Sequence, residues 1–319
     1  MKIKFVSFIV LVFTILTSFN SSAIVFKTDS LYIKPFPKKF SARILFGVKE
    51  LSISIRNSSL LANSTPKVLY KPNNGIIGGF GVSYKNIVLS YHFNVATSEI
   101  SNRKFGKTSI ADYQLNLTTR FLIISGFHRT YQGFYVSDPS ESYPSWEKGM
   151  PYPQRPDIKY VSKGIETIVS LNPTRYSLNA SIKLTEQQLR SVISPLFYAN
   201  YSWTSLSADS SLIPSHLQGS FFDGKELNQS KFSGWTLMPG ISYGLVKSSW
   251  FINPMLFAGF GYLHKELLFT SRETYRYKDY YFKVSSRVNC GYNSKKYFAG
   301  VFVELNEMFL SEKEPDDKN

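Results

Sequence analysis

Charged side chains that share one face of alternating segments are the first candidates for chemistry in this chain. The acidic members are Asp112, Glu166 and Glu304, and the basic members are Arg120, Arg175, Lys183, Lys283 and Arg287. Around a common interior, such a set forms either a charged constriction that selects solutes or a packed interior of paired charges. A constriction with this excess of cations would favour anionic solutes. A narrow barrel is often filled by its own side chains, which favours the packed interior.

A second candidate surface is the aromatic, proline-rich stretch 133–158. Its candidate contact residues are Tyr135, Tyr143, Trp146, Tyr152 and Arg155. Aromatic rings in a loop can stack on sugars or bind a protein, whereas the alternative is that they cap the mouth of a barrel or join an interfacial girdle. Arg155 lies two residues from Asp157, and the two are expected to pair with each other or to anchor the loop.

A catalytic reading needs a nucleophile, a base and a group that orients the base. The available bases are His92, His128, His216 and His264. His92 shares its face with Ser90 and Asn94, but the chain has no phosphate-binding loop or dinucleotide fingerprint. Its one Gly-x-Ser-x-Gly sequence, at 240–244, lies within a predicted strand rather than at a strand-to-helix turn. The single cysteine, Cys290, allows neither an internal disulfide nor a thiolate metal site. We predict no cofactor, no metal and no enzymatic activity, with a lipid hydrolase as an alternative.

The composition combines 16% aromatic residues with a net charge of +15. Nucleic-acid-binding proteins usually carry runs of Lys and Arg, but the longest runs here are pairs, such as Lys38-Lys39, Arg103-Lys104 and Lys295-Lys296. We therefore predict no nucleic-acid partner. Outer-membrane lipid and lipopolysaccharide are better partners for the positive charge, and an envelope protein is a further candidate partner.

The N-terminus has the three regions of a secretory signal peptide. Two lysines precede an apolar run from Phe5 to Leu16, and small residues follow up to Ala23. The apolar run is shorter than the roughly 20 residues that span a bilayer as a helix. We predict that residues 1–23 are a cleaved signal peptide and that 24–40 form an N-terminal periplasmic segment.

Beyond residue 40, apolar and polar residues alternate with the period of a β-strand. The alternation is clearest in 111–120 and in 175–185. Its phase changes near Lys49-Glu50, which indicates a bulge. Strands are predicted at 41–56, 75–84, 86–96, 109–119, 121–132, 159–171, 175–187, 192–205, 232–246, 250–263, 280–292 and 296–309.

These strands predict an all-β fold, an antiparallel up-and-down transmembrane β-barrel of about twelve strands, with ten to fourteen allowed. The barrel domain covers 41–310, and an acidic tail covers 311–319. With an even number of strands, the long connections 206–231 and 264–279 fall on the periplasmic side, where turns are normally short. The rival is a soluble sandwich or barrel, but the polar face is rich in Ser, Asn, Gly and Thr rather than Lys and Glu.

Several short motifs occur in an order that resembles a known family. They are Tyr70-Lys71-Pro72-Asn73-Asn74, Gly79-Phe80-Gly81-Val82-Ser83-Tyr84-Lys85, Leu89-Ser90-Tyr91-His92-Phe93, Tyr131-Gln132-Gly133-Phe134-Tyr135, Arg155-Pro156-Asp157-Ile158 and Asp209-Ser210-Ser211-Leu212-Ile213-Pro214. As an ordered set they resemble the domain of unknown function 4421 family, found mainly in Bacteroidetes-type bacteria. The resemblance covers nearly the whole mature chain and implies an outer-membrane-type barrel. It implies no activity, because the family has no established function to carry over.

Three functional hypotheses follow, all for a protein of the bacterial outer membrane. The first is a β-barrel that acts as a structural anchor or as a narrow pore for small, anionic solutes. The second is an envelope interaction module that binds a protein or a glycan through its long loops. The third is a membrane-embedded lipid hydrolase.

Overall fold

The computed structural model describes residues 28–36, 40–56, 67–95, 97–294 and 296–310. The expected signal peptide and the acidic tail lie outside these residues. Antiparallel strands dominate the described chain, which confirms the predicted all-β class. None of the helices in the described ranges combines the length and the hydropathy needed to cross a membrane.

Strands account for most of the described elements. In chain order they are β1 (Ile33–Pro35), β2 (Ser41–Gly47), β3 (Ile53–Arg56), β4 (Lys67–Lys71), β5 (Ile77–Tyr84), β6 (Ile87–Asn94), β7 (Ser109–Thr118), β8 (Leu122–Val136), β9 (Gln154–Ser170), β10 (Glu186–Gln188), β11 (Val192–Ser207), β12 (Leu227–Lys247), β13 (Trp250–Phe269), β14 (Thr274–Asn293) and β15 (Phe298–Leu310). The helical segments are α1 (Glu99–Phe105), α2 (Pro139–Ser142), a π-helical turn (Asn179–Lys183) and two 3₁₀ turns (Ser215–Ser220 and Phe222–Gly224).

Eleven of the strands form one curled antiparallel sheet in the order β2-β5-β6-β7-β8-β9-β11-β12-β13-β14-β15. The β3–β4 hairpin joins it through β8, and β1 pairs with β10 in a separate small sheet. The prediction of a closed barrel of about twelve strands is wrong. Strands β2 and β15 are the two edges of the sheet, and no ladder joins them within the described ranges. The sheet is an open, curled half-barrel.

The missing twelfth strand is the one predicted at 175–187. The segment 171–191 instead leaves the sheet after β9 and crosses the concave side, where it forms the π-helical turn and β10. Its residues of both parities are buried, including Tyr176 and Leu178 on one and Ser177 and Ser181 on the other. The sheet surrounds the segment, so the alternation in its sequence does not correspond to one exposed and one buried face. We call 171–191 the plug segment.

Loss of this strand reverses the direction of every later strand relative to the prediction. Apart from the plug segment, the long connections then lie at one end of the sheet, which we call the loop end: 48–76, 95–108, 137–153 and 208–226. The opposite turn end carries the tight connections 85–86, 119–121, 248–249 and 294–297. The predicted long connections 206–231 and 264–279 therefore fall at the same end as 97–108 and 133–158, and within the described ranges the plug segment is the one long connection at the turn end. The sheet begins at the turn end with β2 and finishes at the loop end with β15, because the number of strands is odd.

The concave side of the sheet is filled at both ends by buried apolar side chains. At the loop end, Tyr70 of the β3–β4 hairpin and Phe221 of the 208–226 connection pack into a core with strand residues such as Phe134. At the turn end, Tyr176 and Leu178 of the plug segment pack with strand residues of a second core. Full burial of a large apolar side chain contributes about 1.5–3 kcal/mol, so both cores hold the connections inside the sheet.

The two edge strands approach each other at the turn end. The guanidinium carbon of Arg43 on β2 lies 5.6 Å from the ring centroid of Phe298 on β15. After Gly47 the chain leaves the wall, because Lys49 reaches inward to Asp112 and Leu51 packs against the loop-end core. Strand β15 continues towards the loop end without a neighbouring described strand on that side.

Candidate functional site

A layer of charged side chains lies on the concave face between the two apolar cores. Along β9, for example, Glu166 lies between Ile158 of the loop-end core and Ile168 of the turn-end core. We call this set the charged layer. It consists of Arg43, Lys49, His92, Asp112, Arg129, Glu166, Lys183, Lys283, Arg287 and Glu304. Six of these side chains are Lys or Arg and three are carboxylates, so within the described ranges the layer carries an excess of positive charge.

Asp112 is the centre of the first group of contacts. Its side chain is fully buried and contacts the ammonium of Lys49. The Nε of Arg129 lies 3.5 Å from Asp112 Oδ2, and the Nδ1 of His92 lies 3.8 Å from the same oxygen. Arg129 is directly opposite Asp112 in the β7–β8 ladder, so the sheet itself aligns this pair. A buried carboxylate needs such partners, and here Lys49 and Arg129 compensate it.

Arg287 is the centre of the second group. Its Nη2 lies 3.1 Å from Glu304 Oε1 and 3.5 Å from Glu166 Oε2. Tyr198 donates its hydroxyl to Glu166 at 3.0 Å. The guanidinium carbon of Arg287 also lies 5.2 Å from the ring centroid of Tyr198 and 6.0 Å from that of Phe257. These contacts join β9, β11, β14 and β15 across the interior.

The plug segment connects to the charged layer through Lys183. Its ammonium donates to Asn116 Oδ1 at 2.7 Å, and Arg43 donates from Nη2 to the Lys183 carbonyl oxygen at 3.2 Å. The plug segment therefore carries a basic side chain into the interior, where a side-chain amide is its hydrogen-bond partner.

The structure brings most of the predicted lumen charges together. Asp112, Glu166, Lys183, Lys283, Arg287 and Glu304 all belong to the charged layer. Arg175 does not, because the strand predicted to carry it is absent. Its side chain is largely exposed at the turn end, with its Nε 3.5 Å from Asp29 Oδ2. Arg120 also lies at the turn end, 3.7 Å from Glu186.

Sequence reasoning missed Lys49 and Arg129. Arg129 lies in the predicted strand 121–132, and only the register of β7 with β8 brings it opposite Asp112. Lys49 lies at the predicted bulge, where the chain instead turns into the interior. A phase change next to a charged residue was the one available signal for Lys49.

The aromatic residues of 133–158 contact one another at the loop end. The ring centroid of Tyr152 lies 5.5 Å from that of Tyr135 and 5.2 Å from that of Trp146. Phe105 of α1, which the sequence did not suggest, lies 4.9 Å from both tyrosines. The indole Nε1 of Trp146 donates to the Pro151 carbonyl at 3.0 Å. This packing fits a structural cap better than an array of free stacking surfaces.

Arg155 and Asp157 form the predicted pair. Arg155 donates to both carboxylate oxygens of Asp157 at 2.9 Å, and its Nη2 also donates to Ser210 Oγ and to the Ser211 carbonyl, each at 3.0 Å. The hydrogen bonds from Arg155 lower the pKa of Asp157 to about 2. This pair ties the 208–226 connection to β9. Tyr143 completes the cap, 4.8 Å from the His216 ring.

The histidine on the polar face has a carboxylate as its neighbour. The ring of His92 faces Asp112, and no serine of the described ranges hydrogen-bonds to it. Within the same ranges, no group of three or more His, Cys, Asp and Glu side chains is arranged to hold a metal ion.

Comparison with known protein families agrees with the motifs noted in the sequence. The family model described as domain of unknown function (DUF4421) matches residues 27–314. A search of the curated proteins finds no significant match. The family match covers nearly all of the chain and confirms the resemblance. This chain therefore belongs to the domain of unknown function 4421 family.

Proposed function

We propose that this protein is an outer-membrane anchor, a curled β-sheet with a filled interior that holds a folded cap at the membrane surface. The observation that carries the proposal is the apolar outer face of the sheet. On β12, the outward residues Trp235, Leu237 and Ile241 are exposed, while the inward Thr236 and Met238 between them are buried. A soluble sheet would put its apolar face inside. Lipid is the environment in which this arrangement is stable.

Aromatic residues border the apolar face towards the loop end and again near the turn end. Towards the loop end, one register row runs through Tyr201, Trp235, Tyr262 and Tyr280 on four successive strands. Near the turn end, aromatic side chains are again exposed, at Tyr84, Tyr243, Trp250 and Tyr297. Membrane strands carry such girdles where the hydrocarbon meets the headgroups. We call the surface between the two rows the apolar belt.

The distribution of connections gives the orientation. Tight turns belong on the periplasmic side of an outer-membrane protein and long loops outside, so the loop end is the extracellular end in this proposal. The positive net charge of +15 suits a surface rich in anionic lipid and lipopolysaccharide.

The packing of the interior favours an anchor over a pore. The plug segment and the turn-end core occupy one end, and the β3–β4 hairpin with the loop-end core occupies the other. The three carboxylates between them pair with Lys49, Arg129 and Arg287 rather than lining an open channel. An interaction module remains the second candidate, because the cap formed by α1, 133–158 and 208–226 is a rigid surface at the outer end. The contacts of His92 do not favour a lipid hydrolase.

Two measurements test the proposal. We expect the protein in the outer-membrane fraction of its native host, with faster gel migration before boiling than after it. In planar bilayers we expect no stepwise conductance from the wild type. Stepwise conductance would overturn the anchor in favour of a pore, and a soluble periplasmic protein without a mobility shift would overturn the membrane location.

A further inference from the structure

Basic side chains form an exposed patch on the outward face of β8 and β9, just beyond the loop-end aromatic row. His128 is directly opposite Lys163 in the β8–β9 ladder, and both are exposed, as is Lys159 four residues nearer the loop end. Lys163 itself lies two residues beyond Ile165, which is opposite Tyr201 of the aromatic row. We call His128, Lys159 and Lys163 the basic patch.

The members of the basic patch lie close together on the outer wall of the sheet. The Lys163 ammonium lies 4.6 Å from the ring centroid of Trp203, which is directly opposite Lys163 on β11. His128 interacts electrostatically with both Lys163 and Lys159. Basic groups directly opposite each other in a ladder destabilise a sheet when both are charged, so this arrangement favours an anion that binds between them.

The carboxylates of the neighbouring strands do not balance the basic patch. Strands β8, β11 and β12 contain no Asp or Glu. Strands β7 and β9 contain Asp112, Asp157 and Glu166, and basic residues of the interior or of the cap engage each of them. On β13 and β14, by contrast, the outward Arg276 pairs with Glu266 at 3.1 Å. The positive charge of the basic patch is therefore available to an external anion.

We propose that the basic patch binds the phosphate groups of lipid A, the lipid portion of lipopolysaccharide. Lys159 and Lys163 are four residues apart, or about 14 Å along the strand. Lipid A carries a phosphate at each end of its disaccharide, so each ammonium contacts one phosphate. The His128 ring adds a hydrogen-bond donor beside Lys163.

The surroundings of the basic patch favour a lipid over a free anion. Ile165 and Tyr201, next to the patch on the apolar belt side, are 52% and 58% exposed and would contact acyl chains. Lysines at such a border extend their apolar stems along the wall and keep the ammonium at headgroup level. The inference rests on the proposed membrane placement, in which the loop end is outside and the outer leaflet therefore meets the patch.

The test is equilibrium binding of diphosphoryl lipid A to the full chain in a neutral detergent, compared with lipid A from which both phosphates have been removed. We expect the wild type to bind the phosphorylated lipid about 25-fold more tightly, because each lysine near an anionic lipid surface contributes about fivefold. Lys159→Gln and Lys163→Gln should each weaken that binding by about fivefold and leave the binding of the dephosphorylated lipid unchanged. Lys163→Arg, which keeps the charge, should retain the wild-type affinity.

The matched control is Lys278→Gln on β14. Lys278 is exposed on the outward face, two residues beyond Tyr280 of the same aromatic row, but the outward carboxylate of Glu266 lies on the neighbouring strand. We expect no change in the affinity for diphosphoryl lipid A. Gel mobility without boiling should be the same for every variant, since all these positions are exposed.

Three results would overturn the inference: equal affinity of the wild type for the two lipids, equal loss of affinity in the Lys163 and Lys278 variants, or complete displacement of lipid A by an equal concentration of inorganic phosphate. The last result would assign the patch to a free anion. Each of them leaves the anchor function intact if the protein fractionates with the outer membrane. A soluble periplasmic protein would overturn the anchor and this inference together.

Discussion

Replacement of Leu256 by arginine tests the membrane placement of the sheet most directly. Leu256 is 52% exposed on the outward face of β13, with Trp250 six residues towards the turn end and Tyr262 six residues towards the loop end. At about 3.4 Å per residue and a strand tilt of about 40°, each ring lies about 15 Å from Leu256 along the membrane normal. That distance puts Leu256 at the midplane of a hydrocarbon layer about 30 Å thick.

The two possible environments of Leu256 predict effects of different size. At the bilayer midplane an arginine on the lipid face costs about 2–4 kcal/mol, whereas near the interface the cost is about 0–1 kcal/mol. The matched control is Leu245→Arg, because Leu245 is also outward and exposed but lies beyond Tyr243, outside the lower aromatic row. If the outer face were in water, both substitutions would change the free energy of unfolding by no more than about 0.5 kcal/mol.

The assay is equilibrium unfolding in guanidinium from lipid vesicles, followed by tryptophan fluorescence and by gel mobility without boiling. We expect Leu256→Arg to lose at least about 2 kcal/mol more than Leu245→Arg. Equal free energies of unfolding for the two variants and the wild type would refute the apolar belt as a lipid-facing surface, and with it the anchor function.

Three further predictions concern the interior and the cap. Asp112→Asn should lower the free energy of unfolding by about 2–4 kcal/mol, because it leaves the partly buried cations of Lys49 and Arg129 without their carboxylate. In the same denaturant titration, the control substitution Glu99→Gln at an exposed carboxylate should change the free energy of unfolding by less than about 0.5 kcal/mol. The second prediction concerns Asp157. It lies outside the apolar belt, eight residues towards the loop end from Ile165, which is opposite Tyr201 of the aromatic row. Its pKa in the folded protein is about 2, below the ordinary value of 3.8. The carboxylate therefore stabilises the cap fully above about pH 4 and loses this effect as the pH falls towards 2. Amide hydrogen exchange in 208–213, corrected for the intrinsic rate, should become faster in the wild type as the pH falls from about 4 to about 2. The same acceleration in Asp157→Asn would contradict the role of this carboxylate in holding the cap. Tyr176→Phe removes the hydroxyl that donates to Ser242 at 2.8 Å and should lower the free energy of unfolding by about 1 kcal/mol. An unchanged free energy of unfolding would show that this hydrogen bond does not hold the plug segment.

The order and faces of the wall strands were predictable because they rest on local information. A strand between two different environments alternates with a period of two, and eleven of the twelve predicted strands occur in the structure, several with shifted ends. The break of the first predicted strand near Lys49-Glu50 was visible as a change of phase. The concave location of Asp112, Glu166, Arg287 and Glu304 followed from the same alternation.

The prediction of a strand at 175–187 was wrong for a physical reason. In the plug segment, Tyr176 and Leu178 alternate with Ser177 and Asn179 as they would in a wall strand, but all four are buried inside the sheet. The polar residues find partners there, as Ser177 does in donating to Glu186 Oε2 at 2.6 Å, so alternation no longer reports exposure. One misassigned segment then reverses the direction of every later strand and misplaces the long connections.

The sequence by itself determined the all-β class, the family, the apolar outer face and most of the charges that line the interior. The tertiary structure decided which charges meet, that the concave side is filled, and that the sheet has an open edge. Those properties depend on contacts between residues far apart in the chain, such as Lys49 with Asp112 and Lys183 with Asn116. A periodic pattern records only which face a residue occupies, and distance across the interior is set by the curvature of the whole sheet.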